Sequence, residues 1–558
     1  MVGACRVLST AVVMAALQLG NGAMAGQEQK PLTAGPIGDK GSKAHSPFTR
    51  DFDALARDML EQWKVPGVSM AVVDGHDVFA EGFGLATLPD TPATPETLYY
   101  VGSTTKAQTA AVLAQLIDSK AYPALSRGWS TPISSILRDD FVLQDEWATN
   151  HITLDDAASH RTGMPGHDNS WHREINGTQA TLQHVVRNLR NLPISAEPRT
   201  EWLYCNLMYV TLSHVVEVLT KRRLGDVIKD IIWKPLGMES TSMSLQEAKL
   251  SSAPLASSYA WREKGQRYEE LPYLDAEHMS GAGGIISNVI DYAQWLKCLI
   301  HETKPFSKAV HEDIRTPRFI HSARPALGID VDLYGLAWQR TTIHGQVVYW
   351  HYGSTVTFGA LVYWLPHVKF GIVALANGAE TSNQAELVLV RRLLDDKLRI
   401  PLDDRLDVNK ILKERVGDSQ RDIERADDIL FPDRPKRPSP PSIKPSELTG
   451  LYSNPGYGRI ALFQEPLSAN SDETVLVADR TELLWAQQWR LHHVSGDYWT
   501  LYSKMLLGIN AVTRFYAAEF KIGVDGKVAG LEVSMYDRYG GVDEGTVLFH
   551  RLGGNTDG

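Results

Sequence analysis

A serine and a lysine three residues apart, in the run Ser103-Thr104-Thr105-Lys106, are the side chains of this sequence best suited to covalent chemistry. At the start of a helix, positions i and i+3 share a face, so the amine can reach the hydroxyl. A helix N-terminus disfavours an ammonium and favours a nascent alkoxide, which makes the pair a minimal self-activating nucleophile. Taken alone, the tetrapeptide reads equally well as an exposed capping serine beside a solvated lysine. Two further elements follow it along the chain, Tyr204-Cys205-Asn206 and His351-Tyr352-Gly353. A tyrosine and an asparagine ahead of a helix are ordinarily a packed ring and an N-cap. With Ser103 and Lys106 they read instead as a second proton carrier and a polar anchor.

The ordered set resembles the serine β-lactamase and penicillin-binding-protein superfamily, in its class C and carboxylesterase branch, where S-x-x-K, Y-x-N and K-T-G or H-x-G line one cleft. The surrounding text is similar to that family too. Ser159-His160-Arg161-Thr162-Gly163-Met164-Pro165 matches its S-H-x-S-G-L-P loop, and Pro235-Leu236-Gly237-Met238 with Thr241 matches P-L-G-M-x-x-T. Ala282-Gly283-Gly284 with Ser287 and Asp291 fits its glycine-rich helix entry. The resemblance covers residues 50 to 400.

The resemblance implies that Ser103 attacks a carbonyl while a base takes its proton, because a serine hydroxyl is a weak nucleophile at neutral pH. Lys106 and Tyr204 are the two candidates. A lysine with an ordinary pKa near 10.4 needs burial and the helix end to lower it, and a tyrosinate needs neighbouring cations. Asn206 is expected to bind the substrate amide or to orient Lys106. The Ser103 and Ser354 amides, beside Gly353, are the expected oxyanion hole. His351 stands where antibiotic-hydrolysing members usually carry a lysine. A histidine is mostly neutral above pH 7, so esters or amides lacking an obligatory carboxylate are the expected substrates. A hydrolase (esterase, amidase, D-amino-acid peptidase or lactam-opening enzyme), an acyltransferase using the same acyl-enzyme, and a non-catalytic scaffold are the readings that remain.

Composition narrows the setting. The 558 residues imply more than one domain, and 43% hydrophobic with 22% charged residues is ordinary globular composition. A net charge of −10 disfavours nucleic acid or an anionic membrane as partner. A small molecule or short peptide is the expected partner, with no cofactor and no metal. The histidines His492 and His493 lack carboxylate neighbours in sequence, and His160 is expected to be structural. Cys205 reads as a small packed residue rather than a reactive thiol.

Residues 1–25 read as a secretory signal, with Arg6, an apolar run from Val7 to Leu19 and Ala23-Met24-Ala25 before the cut. That run is too short and broken to be a permanent membrane anchor. Asn176-Gly177-Thr178 is a glycosylation sequon. Residues 26–46 are polar and aperiodic and read as a disordered arm.

The elements that must position the site follow from periodicity. A hairpin is expected around the Asp74-Gly75-His76-Asp77 turn, and strands at 347–352, 358–364 and 370–376, with an edge strand carrying His351. Residues 103–117 are apolar almost all round, predicting a buried helix, and the spacing after Asn206 predicts another. With the family resemblance, these elements imply an α+β fold class, a β-lactamase-like catalytic domain over 47–400. A charged, proline-rich linker is expected over 401–445. Short β-like runs over 446–558 predict a small antiparallel barrel that resembles a lipocalin-like domain. The loops Trp171-His172-Arg173 and 268–278 are expected to line the cleft.

Overall fold

The structure is a computed structural model that describes residues 45–175, 177–379, 381–467, 474–508, 510–537 and 542–553. Residues 1–25, expected to be an export signal, nearly all of the expected N-terminal arm and Asn176 lie outside the described residues.

The catalytic domain is built on a nine-stranded antiparallel sheet. Its first hairpin joins Gly67–Asp74 to Asp77–Thr87, with Asp74 opposite Asp77. Gly75 takes the left-handed conformation that this tight turn needs, at φ 62°. The first strand pairs on its other side with Phe370–Ala376, and Gly359–Leu365 and Gln346–Ser354 follow in turn. The three expected strands are all present. The strand carrying His351 is not at an edge, however, because Gln339–Ile343, Asp332–Tyr334 and Phe319–Ser322 extend the sheet beyond it. Those three are short and rich in polar residues, so their apolar alternation is weak.

Strand alternation sends Val68, Met70 and Val72 to one face and Ala71 and Val73 to the other. The first face packs on the helices Arg50–Trp63, Ser382–Lys397 and Val408–Glu424. The second, with Val362, Trp364 and Leu375, packs toward Val289–His301 and the helical subdomain. Each large apolar side chain so buried stabilises the fold by roughly 1.5–3 kcal/mol. Between sheet and helices runs Thr105–Ser119, whose residues from Thr105 to Ala114 are all buried. A helix enclosed all round cannot shift without disturbing both layers, so it is a rigid platform for whatever its N-terminus carries.

The sequence motifs meet in space. Thr241 donates to Asp291 at 2.7 Å and lies 2.6 Å from the Ser287 hydroxyl, joining the P-L-G-M-x-x-T segment to the glycine-rich helix entry.

The charged stretch read as linker is in part helical. Val408–Glu424 carries an Asp407 N-cap and buries Val408, Leu412, Val416 and Ile423. These apolar residues recur at helical spacing within the charged text: Val408, Leu412 and Val416 join the core beside the helix Ser382–Lys397, and Ile423 packs with Phe515 of the C-terminal domain. A second short helix, Ala426–Leu430, follows. The proline-rich run comes only after it, and Ser439 is tied to the C-terminal domain through Ser495 and Gly496.

That C-terminal domain is a closed eight-stranded antiparallel barrel, from Gly450–Asn454 to Val542–Arg551. Its interior is filled by aromatic side chains. Trp489 and Phe549 meet edge-on at 5.7 Å, as do Trp499 and Phe520.

Candidate active site

Ser103 sits in a single 3₁₀ turn, Gly102–Thr104, that leads directly into the enclosed helix. Gly102 has φ 49°, and a Cβ there would lie 2.7 Å from the Ser354 amide nitrogen. On the facing strand, a Cβ at Gly353 would lie 2.0 Å from the Val101 carbonyl oxygen and 3.1 Å from the Ser103 nitrogen. Two glycines thus let the sheet and the serine turn touch backbone to backbone, which sets the Ser103 and Ser354 amides at one seam. The buried Asn383 amide fixes that strand from behind by donating to the Gly353 and Ala360 carbonyls at 3.1 and 3.2 Å. The same Asn383 nitrogen lies 2.7 Å from Glu386, whose carboxyl burial pushes well above the usual range.

Lys106 Nζ is completely buried and lies 2.9 Å from Ser103 Oγ, 2.9 Å from Asn206 Oδ1 and 2.7 Å from the Ala282 carbonyl oxygen. Burial lowers its pKa from 10.5 to about 7, against the opposing pull of Asp168. The three oxygens match the three N–H groups of an ammonium. Once the amine is neutral, two N–H groups suffice for the Asn206 and Ala282 oxygens, and the lone pair can take the Ser103 hydroxyl proton.

Tyr204 is hydrogen-bonded to Ser103. The residue is half-buried, yet the surrounding protein desolvates the hydroxyl and holds its pKa well above the ordinary value, so the phenol is protonated. Its ring lies 4.9 Å from Lys106 Nζ. Asn206 opens the helix Asn206–Thr220, with its Oδ1 on Lys106 and its Nδ2 donating to Asp168 Oδ1 at 3.2 Å.

His351 departs from expectation. It is 1% exposed, and both ring nitrogens are engaged inside the protein. Nδ1–H donates to the Tyr352 carbonyl at 2.6 Å, and Nε2 accepts from the Tyr334 hydroxyl at 3.0 Å. Burial, aided by Lys106, lowers its pKa to about 3. It is a neutral imidazole packed against Tyr204, with both ring nitrogens satisfied within the protein. Trp171-His172-Arg173 is anchored on the barrel domain, with Trp171 buried against Trp485 and Arg173 donating its amide to the Glu482 carbonyl, and Trp171 and His172 line a cavity with Gln183, His214 and Ser280.

His160 accepts from the Cys205 amide at 3.1 Å through Nδ1 and packs on Tyr204 at 4.3 Å, so it shapes the Tyr-x-Asn turn. Burial holds it neutral. The Cys205 thiol is buried and pushed up to about 12, which leaves it inert. Sequence reasoning missed Asp168 and Tyr334. Asp168 lies just beyond the Ser159–Pro165 motif with no spacing rule attached, and Tyr334 lies in a strand that the polar text concealed. Among the described residues no cluster of histidine, cysteine and carboxylate side chains could hold a metal.

Ser103, Lys106, Tyr204 and Asn206 thus converge on one seam, with Gly353 and Ser354 across from them. A sequence profile described as Beta-lactamase matches residues 52–395, and the chain belongs to that family and is a hydrolase of its fold. It is 37% identical over 482 residues to the unguisins hydrolase ungD' of Aspergillus campestris, covering 86% of this chain and 88% of that one. It is 24% identical over 379 residues to a D-aminopeptidase of Brucella anthropi, covering 63% and 68%. Among solved structures, the octameric penicillin-binding protein homologue from Pyrococcus abyssi superposes with a TM-score of 0.55 at 18% identity. That superposition covers 89% of this chain and 99% of the other, so the similarity of fold extends past the family domain.

Proposed function

We propose that this protein is a serine amidase or peptidase that opens an amide bond of a short peptide through an acyl-enzyme on Ser103. The observation that carries the reading is Lys106, buried, with Nζ 2.9 Å from Ser103 Oγ and also held by the Asn206 and Ala282 oxygens. Ser103 Oγ attacks the carbonyl carbon as its proton passes to Lys106 Nζ. The oxyanion is met by the Ser103 and Ser354 amides, which the two glycine contacts set side by side. Tyr204, bonded to Ser103, is placed to relay the proton from Lys106 to the departing amine. Water then attacks the ester, returns its proton along the same path and frees the acid and Ser103.

Lys106 is the base in this reading, because a buried phenol resists ionisation whereas burial makes a lysine more willing to be neutral. Amide substrates are favoured by the relatives named unguisins hydrolase and D-aminopeptidase. A neutral, enclosed His351 offers no fixed cation for a substrate carboxylate. The signal read at residues 1–25 supports export, and N-terminal sequencing of the protein from culture medium should begin at Gly26.

The test is intact-mass analysis after exposure to a fluorophosphonate, which should add one label that maps to Ser103 and is lost in Ser103→Ala. Turnover of unguisins and of a D-amino-acid anilide, followed by product mass, then reads the bond cleaved. A folded protein that takes no label, or takes it elsewhere, would overturn the assignment.

A further inference from the structure

Asp168 is a neighbour of the nucleophilic pair that no sequence motif singled out. Its Oδ1 accepts from Asn206 Nδ2 at 3.2 Å, and the other end of that same amide accepts from Lys106. Asp168, Asn206 and Lys106 therefore form one chain, in which the carboxylate fixes which way the amide faces. An asparagine rotated by half a turn would present N–H groups to Lys106 and break the pairing that leaves the lone pair for Ser103.

The residues on both sides of Asp168 are held by the C-terminal barrel. His167 donates its amide to Glu544 at 3.1 Å, and its ring accepts from the Tyr457 hydroxyl at 2.7 Å while donating to the Pro193 carbonyl at 2.8 Å. Asn169 accepts from Gln487, which is buried and itself gripped by Trp489 and Ser503. Further on, Leu484 donates its amide to the Trp171 carbonyl at 2.8 Å. Gly166 completes the seat, since a Cβ there would lie 3.2 Å from Glu544 Oε1 and 3.6 Å from the Tyr204 carbonyl oxygen. The barrel end is thus packed on the loop that ends at Asn206's partner.

We propose that Asp168 is a positioning residue for Asn206 and Lys106, and that the C-terminal barrel holds it in place, making the barrel part of the catalytic apparatus. This rests on the acyl-enzyme reading above. The titratable and charged groups around Lys106 are Asp168, Cys205, Tyr204, Tyr209, His160 and His351, with Glu544 behind the loop. Burial keeps the phenols, the thiol and both imidazoles neutral near pH 7. Asp168 is therefore the charge among them that bears on Lys106, and its presence favours the ammonium.

The experiment follows the rate of fluorophosphonate labelling of Ser103 against pH in the full chain. Asp168→Asn keeps an acceptor for Asn206 but removes the charge, so the acid limb should move to lower pH by about one unit. Asp168→Ala removes the acceptor, and the plateau rate should fall about tenfold or more, with Asp168→Glu recovering part of it. Gln487→Leu and Asn169→Ala cut the barrel's grip from its two sides, and each should slow the plateau several-fold. Neither should slow Asp168→Ala further, because the two act through one link. Melting curves identify any variant that is merely unfolded, and the nearly isosteric Asp168→Asn answers even where Asp168→Ala does not fold. An unmoved acid limb in Asp168→Asn with an unchanged plateau in Asp168→Ala would overturn the role of Asp168. Fully multiplicative losses with Gln487→Leu would overturn the role of the barrel. Absence of label on the wild-type protein would strike the acyl-enzyme reading itself, so the two failures are distinct.

Discussion

Gly353→Ala adds one methyl group at the seam between the sheet and the serine turn, and its consequence can be worked from distances. The new Cβ would sit 2.0 Å from the Val101 carbonyl oxygen and 3.1 Å from the Ser103 nitrogen. Carbon–oxygen contacts settle at about 3.3 Å, so the strand and the turn must part by roughly 1 Å. Both obstacles are backbone atoms, and no flexible side chain can yield instead. Overpacking of this kind costs about 1–3 kcal/mol, a fall in melting temperature of roughly 2–12 °C at 2–4 °C per kcal/mol for a domain of this size. The loss in activity should exceed the loss in stability, because a 1 Å misplacement of reacting groups costs on the order of 10²-fold in rate. The assay pairs the labelling rate of Ser103 with a melting curve. Gly417→Ala, at a half-buried position of the helix Val408–Glu424, serves as the control: its Cβ would meet only the guanidinium end of Arg421. That variant should gain about 0.5–1 kcal/mol and label normally. A Gly353→Ala protein that labels at the wild-type rate would refute the idea that backbone contact between these segments builds the oxyanion site.

The pH dependence of kcat/KM should rise through about pH 7 and level off above it, because the lowered pKa of Lys106 means its neutral form is lost as pH falls through that value; a flat profile from pH 5 to 9 would exclude Lys106 as the base. Lys106→Met should lose at least two orders of magnitude in labelling rate while keeping its fold, since general-base assistance is worth about 10²–10⁴-fold. His351→Lys should not improve the use of carboxylated substrates. It would enclose an unpaired cation beside Lys106 and cost about 3 kcal/mol or more, seen as a drop in melting temperature, whereas a gain in kcat/KM for a carboxylated lactam would show that this position does reach substrate. Cys205 and Cys298, both buried with thiols pushed up to about 12 and about 11, should resist iodoacetamide at pH 8 in the native protein and react after denaturation, as read by intact mass.

How far the sequence carried depended on whether a feature is local. Ser103 and Lys106 share a helix face through spacing alone, and the enclosed helix behind them announces itself by apolar residues on every side. Tyr204 and Asn206 were legible only as a turn before a helix, and their partners come from elsewhere in the chain. Asp168 reaches Asn206 because the barrel presses its loop inward, a relation between residues far apart in sequence. The helix Val408–Glu424 was hidden because its charged residues dominate its composition while four apolar side chains do the docking.

His351 shows why a motif does not transmit the function of its side chain. The triplet His351-Tyr352-Gly353 places a small residue where the serine turn must touch the strand, and that part of its meaning depends on backbone alone. What the first residue does depends on what surrounds it. Here Tyr334 covers Nε2, on a short strand outside the recognised text, and the carbonyl of Tyr352 takes Nδ1–H. An imidazole with both nitrogens satisfied and its pKa far below neutrality has neither a charge nor a free donor to offer. Selection among substrates therefore has to come from groups that do face the cleft, and the same Asn206 that orients Lys106 is shared between Lys106 and Asp168. A substrate amide that competed for Asn206 would disturb the base itself, so binding energy has to be supplied farther from Ser103 for the lysine to keep its lone pair on the nucleophile.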